Sequence, residues 1–156
     1  MNKKGFTLIE LLVVIAIIGL LSTLAVVSLN NARIKSRDAR RVSDIKQIQT
    51  ALELFFSDNV RYPARPLAAE ACVAVDGELS TCCISDLGIT TDCGDVITYM
   101  SVVPTDPAGA AGVQYNYDQI AAAGIMTYQL VYQLEQDTAG ISGGGPHTAT
   151  PAGIVD

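Results

Sequence analysis

Residues 6–29, from Phe6 to Leu29, read FTLIELLVVIAIIGLLSTLAVVSL. The run holds one charge, Glu10, and no proline. As an α-helix it covers roughly 36 Å, enough to cross a bilayer core of about 30 Å. A water-soluble domain has no use for so long an apolar run at its start, so the stretch reads as a membrane-spanning rod to which the rest of the chain is attached.

On its N-terminal side lies Met1-Asn2-Lys3-Lys4-Gly5, a short basic leader ending in glycine. An ordinary secretory signal has a shorter apolar core with its cleavage site after it. Here the processing point falls before the apolar run, so cleavage leaves the hydrophobic segment on the mature protein. Glu10 stands four residues beyond Phe6. A carboxylate in an apolar helix costs about 2.5–3.5 kcal/mol on insertion scales and is therefore a functional candidate. One partner for it is the amino group that cleavage creates on the Phe6 of a neighbouring copy.

Gly5-Phe6-Thr7-Leu8-Ile9-Glu10 resembles the signature of type IV prepilins, shared by type IV pilins and the pseudopilins of type II secretion. The likeness is close from Lys3 to about Tyr62 and thin beyond. It implies that a membrane prepilin peptidase cuts between Gly5 and Phe6 and methylates the Phe6 amine. It further implies that Glu10 sets the register of each subunit in a helical filament, and that copies of the chain, related pilin-like subunits and an inner-membrane assembly platform are its partners. Many members of the family carry a kinking proline where this chain has Val27, which points to a straighter rod. The alternative is a membrane-anchored extracytoplasmic binding domain that never polymerises and needs neither Gly5 nor Glu10.

On the C-terminal side no proline or glycine interrupts the chain between Leu20 and Ser57. Val42, Ile45, Ile48, Leu52, Phe55 and Phe56 recur at spacings of three and four, one apolar stripe of a continuing helix. Arg40, Arg41, Asp44, Lys46 and Glu53 are expected mostly on other faces. One helix from about Phe6 to Ser57 is predicted, ended by Asp58-Asn59 and Pro63. The basic cluster from Arg33 to Lys46 reads either as a patch for nucleic acid or lipid headgroups or as a solvated face that meets acidic heads of adjacent subunits; the second is preferred.

Charge divides along the chain. All ten Lys and Arg lie at or before Arg65, and the eleven acids beyond it meet no base. The net charge of −6 therefore conceals a basic stem and an acidic head. Such a head disfavours nucleic acid as a partner. Lys3 and Lys4 are expected on the cytoplasmic side, although the bases after the span oppose that orientation by charge counting. The leader signature and the cysteines outweigh them and put the C-terminal side outside the cytoplasm, first on a single-pass inner-membrane protein and then on a periplasmic or extracellular filament.

Cys72, Cys82, Cys83 and Cys93 form an even set in an exported domain and read as two disulfides. A bridge between neighbours Cys82 and Cys83 is strained. Two arrangements stay open: Cys72–Cys82 with Cys83–Cys93, slightly preferred, or the interlaced Cys72–Cys83 with Cys82–Cys93. Zinc is disfavoured, because no pair has C-x-x-C spacing and the lone His147 is remote.

The head follows. Residues 64–95 support no firm helix or strand. Val96–Val103 reads as a short strand or helix, and Pro104-Thr105-Asp106-Pro107 as a rigid turn similar to one in many secretion pseudopilins. Val113–Gln119 and Met126–Leu134 alternate and predict two antiparallel strands, their tyrosines half-buried against the helical stripe. Residues 138–156, with Gly143-Gly144-Gly145-Pro146, read as a flexible tail. Similar secretion pseudopilins often bind calcium near the C-terminus; Asp137 is the nearest acidic candidate, in a segment without a dense carboxylate cluster.

The expected architecture is therefore α+β: a leader (1–5), a transmembrane or filament-core helix (6–29), its amphipathic continuation (30–62), a small extracytoplasmic head with an antiparallel sheet and a disulfide-bearing loop (63–137), and a flexible tail (138–156). No histidine-based triad or phosphate-binding glycine loop is present, so a structural role without catalysis or a required cofactor is expected.

Overall fold

A computed structural model describes residues 5–64, 82–91, 93–94, 96–108, 115–122 and 125–155. Helix α1, Leu8–Asn59, is 52 residues long and about 78 Å from end to end. It passes unbroken through Val27, where many members of the similar family have a proline. Every residue from Leu8 to Ala32 is exposed, so the first half of the rod is not packed against its own head. The second half buries the predicted stripe: Val42, Ile45, Ile48, Leu52 and Phe55 are in the core, with Phe56 packed beside them. The helix ends at Val60, whose N–H donates to the Phe56 carbonyl at 2.8 Å and whose φ of 54° is left-handed.

The head has two antiparallel sheets. In the first, β1 (Cys83–Ser85) lies between β2 (Gly88–Thr90) and β3 (Thr98–Met100). The second is a four-stranded meander in chain order: β4 (Asn116–Ala122), β5 (Ile125–Gln133), β6 (Pro146–Thr150) and β7 (Gly153–Val155). The alternation seen over 126–134 decides how β5 packs. Tyr128, Leu130, Tyr132 and Leu134 are buried, while Met126, at the start of that face, is exposed. Tyr115 and Tyr117 are half-buried, as expected of core-lining tyrosines. Edge-to-face packing of Tyr62 on Tyr128, ring centres 4.7 Å apart, joins the helix end to β5.

The reading of 138–156 as a flexible tail is overturned. Residues 146–155 are a hairpin that completes the second sheet, with His147 opposite Tyr132 and Ala149 opposite Leu130. The physical reason is the free edge of β5: its N–H and C=O groups need partners, and His147 and Ala149, alternate residues, are buried where they cover it. Pro146 opens the strand, where a missing N–H is tolerated. The preceding glycines build the turn. A Cβ on Gly143 would lie 2.2 Å from the Gln136 carbonyl carbon, and Gly144 has a φ of 86°.

Candidate functional site: the N-terminal segment and the helix–head junction

The helix starts at Leu8 because Thr7 caps it. The Thr7 backbone is extended, its Oγ1 accepts the Glu10 N–H at 3.3 Å, and the Thr7 N–H donates to Glu10 Oε2 at 2.8 Å. Thr7 Oγ1–H also donates to the same oxygen at 2.7 Å. This reciprocal pair is a capping box, which satisfies two otherwise orphaned helix donors. It leaves Gly5 and Phe6 outside the helix and exposed, Phe6 by 84%. The Gly5–Phe6 bond therefore lies outside the helix, between two exposed residues. Residues 1–4 of the leader lie outside the described residues.

Glu10 thus has a role that the spacing argument missed, although T-x-x-E was there to read: it closes the cap of its own helix. Both bonds that Thr7 donates fall on Oε2, and Oε1 takes no hydrogen bond from the described residues. One carboxylate oxygen is left for a second donor.

The head is fixed to the rod by an ion cluster. Arg41 donates to Asp106 from Nε at 2.6 Å and from a terminal nitrogen at 2.9 Å, to Asp38 at 2.6 Å and to Glu135 at 2.7 Å. Asp38 also accepts the Glu135 and Gln136 N–H groups at 3.1 and 2.8 Å. Arg37 holds Glu135 from outside. Arg41, Asp38 and Asp106 are buried. Asp106 belongs to the proline-flanked turn, so that turn is what carries a carboxylate to the helix. The Arg37 guanidinium, and then Arg41, hold the Glu135 carboxyl down at about 2. Burial pushes the Asp44 carboxyl up, although the Tyr115 hydroxyl donates to it at 3.2 Å.

These contacts correct the reading of the basic cluster. Arg37 and Arg41 meet carboxylates of their own head, and Arg41 and Asp44, expected on other faces, lie on the buried one. The missed signal was the stripe itself: stepped back by four from Val42 and from Ile45, it lands on Asp38 and Arg41. Arg33, Lys35, Arg40 and Lys46 remain exposed and make no ion pair among the described residues.

Cys83 and Cys93 form a disulfide ten residues apart in sequence, with Cα atoms 6.0 Å apart. It belongs to the pattern of two short loops and excludes the interlaced one. Cys82 is buried and also disulfide-bonded; Cys72 lies outside the described residues. Asp137, the calcium candidate, is exposed, and its Oδ1 accepts the Gly143 N–H at 2.7 Å. Among the described residues no three His, Cys, Asp or Glu side chains are grouped to hold a metal.

Residues 1–26 match the prokaryotic N-terminal methylation motif. The chain is similar to type II secretion system core protein G of Pectobacterium carotovorum subsp. carotovorum, 39% identical over 72 residues that cover 46% of each chain. Its similarity to the Escherichia coli protein of the same name is also 39% over 72 residues, 46% of this chain and 50% of that one. With the type IV major pilin protein PilA of Myxococcus xanthus it shares 39% over 61 residues, 39% of this chain and 28% of that one. The chain spans about half the length of the secretion proteins it matches. No solved structure matches it. Motif and relatives agree with the resemblance read from Gly5 to Glu10: residues 1–26 carry the prokaryotic N-terminal methylation motif, and nearly half of the chain is similar to type II secretion core protein G and, over a shorter stretch, to a type IV major pilin.

Proposed function

We propose that the protein is a structural subunit of a helical filament, of the type II secretion pseudopilus or type IV pilus kind, with the secretion pseudopilus preferred. One observation carries the reading: a helix exposed all along Leu8–Ala32 begins inside a methylation motif, two residues after an exposed Gly5–Phe6 bond that lies outside the helix. The subunit waits in the inner membrane with its disulfide-bonded head outside the cytoplasm. A prepilin peptidase cuts before Phe6 and methylates the new amine. An assembly platform then draws the apolar helix from lipid into a core of other apolar helices, where the second oxygen of Glu10 meets the Phe6 amine of a neighbour. No catalysis and no resident cofactor are required for this. The preference for secretion follows from the names of the relatives and from the Pro104–Pro107 turn.

Intact-mass and N-terminal analysis of the protein from its native membrane tests the reading. A chain that begins at Phe6 with one added methyl group is the expected result. An unprocessed chain beginning at Met1, in cells with an active prepilin peptidase, removes the main support for a filament.

A further inference from the structure

We propose that the cleft between Lys35 and the 135–144 loop receives the headgroup of an aminophospholipid, one phosphate and one primary ammonium, while the subunit waits in the membrane. The proposal rests on the reading that the apolar half of α1 spans a bilayer.

Depth comes first. Lys35 lies six residues past Leu29, about 9 Å further along the helix. Headgroup layers extend roughly 5–8 Å beyond the hydrocarbon on each side. Helical side chains lean toward the N-terminus, so the ammonium of Lys35 reaches back into that layer.

Charge comes second. Of the bases next to the span, Arg37 and Arg41 are taken by Glu135, Asp38 and Asp106, whereas Lys35 is exposed and makes no ion pair among the described residues. Lys35, Glu135, Gln136, Asp137, Gly143 and Gly144 line one open cleft of about 440 Å³. Its acids are not equivalent. Glu135 is held by the two arginines. Asp137 has one oxygen on the Gly143 N–H and its other oxygen without a hydrogen bond among the described residues. The cleft therefore offers one cation for a phosphate and one carboxylate for an ammonium. A headgroup with net negative charge gains at Lys35 and loses at Asp137. A choline headgroup matches in charge but has no N–H to donate.

The test reconstitutes the full processed chain in bilayers of equal parts phosphatidylethanolamine, phosphatidylcholine and phosphatidylglycerol. The protein is repurified in mild detergent and its retained lipid measured by mass spectrometry. Phosphatidylethanolamine is expected to be enriched roughly threefold over both others, as suits one exposed charge pair at each end. Lys35→Gln and Asp137→Asn should each remove the enrichment, with thermal melting unchanged. Retention in the bulk ratio overturns the proposal. So does a phosphatidylglycerol preference that survives Asp137→Asn, which signals general attraction to the basic stem. Carbodiimide cross-linking of Lys35 to an acid of a second copy, before assembly, also overturns it, since a protein then holds the place of the lipid. Alkaline carbonate extraction separates the two levels of the reading: a chain that leaves the membrane refutes the span, whereas an integral chain without selectivity refutes only the headgroup site.

Discussion

Arg41 and Asp106, 65 residues apart in sequence, form a two-pronged ion pair at 2.6 and 2.9 Å with both side chains at most 4% exposed. The guanidinium also touches Asp38 and Glu135, so one cation answers three carboxylates from the helix, the proline-flanked turn and the end of β5. Arg41→Ala leaves Asp38 and Asp106 buried without their counter-charge. Losing one partner of a buried pair costs about 3–5 kcal/mol. Denaturant unfolding of the head, followed by tyrosine absorbance, should show a loss of that size. A loss under about 1 kcal/mol would mean that water reaches the cluster and that it does not fix the head to the rod.

Acid should weaken the same junction. The arginines hold Glu135 at about 2, against an ordinary 4.5. Between those values the unfolded chain binds more protons than the folded one, so this stabilisation is complete above pH 4.5 and fades as pH falls toward 2. Asp44, pushed up by burial, acts in the opposite sense and offsets part of the loss. Because a third of the Glu135 side chain is exposed, its share is about 1 kcal/mol at most. Unfolding at roughly pH 7 and pH 3, on either side of the ordinary carboxylate value, checks this: the gap between the native chain and Glu135→Gln should narrow in acid. A constant gap would refute it.

Val60 occupies a left-handed conformation, uncommon for a β-branched residue, and is 74% exposed. Val60→Gly removes the steric cost and forfeits little burial. It also makes the unfolded chain freer, so the net gain is about 0.5–1 kcal/mol. Thermal melting should rise by a few degrees. A drop would show that the valine side chain makes contacts worth more than its strain.

Removing divalent cations should leave the melting temperature of the head unchanged. Among the described residues the carboxylates that converge, Asp38, Asp106 and Glu135, are neutralised by a guanidinium, and Asp137 spends one oxygen on its own loop. A chelator that lowers the melting temperature, with recovery on added calcium, would reinstate Asp137 as a ligand.

The rod was legible because its signals are local. Apolar length, the stripe from Val42 to Phe55 and the stop at Pro63 are each set within a few turns of chain. The β4–β5 pair was legible for the same reason, through the alternation of Met126 to Leu134. What escaped depends on distant partners. His147 and Ala149 look like tail composition until β5 supplies an edge for them to cover. Asp38 and Arg41 look like surface charges until Asp106 and Glu135 arrive. The Cys83–Cys93 pairing is a choice between arrangements that spacing leaves nearly equal and the β1–β2 hairpin decides, by bringing Thr90 opposite Cys83.

Glu10 is where two explanations meet. As the third residue of the helix it closes a capping box on Thr7, and as the one charge in the apolar run it keeps Oε1 without a hydrogen bond among the described residues, the oxygen that the proposed filament pairs with a neighbouring amine. Glutamine keeps the first role, since its amide oxygen accepts from Thr7, and loses the second, since it has no charge to pair with a methylated ammonium. Alanine loses both. All three forms should insert into the membrane and be cut before Phe6. Filament yield, measured by shearing and sedimentation, should fall at least tenfold for Glu10→Gln and Glu10→Ala alike, equivalent to about 1.4 kcal/mol or more of association free energy. If Glu10→Gln assembles like the native chain while Glu10→Ala does not, the residue serves its own helix end and the charge-pairing step is wrong.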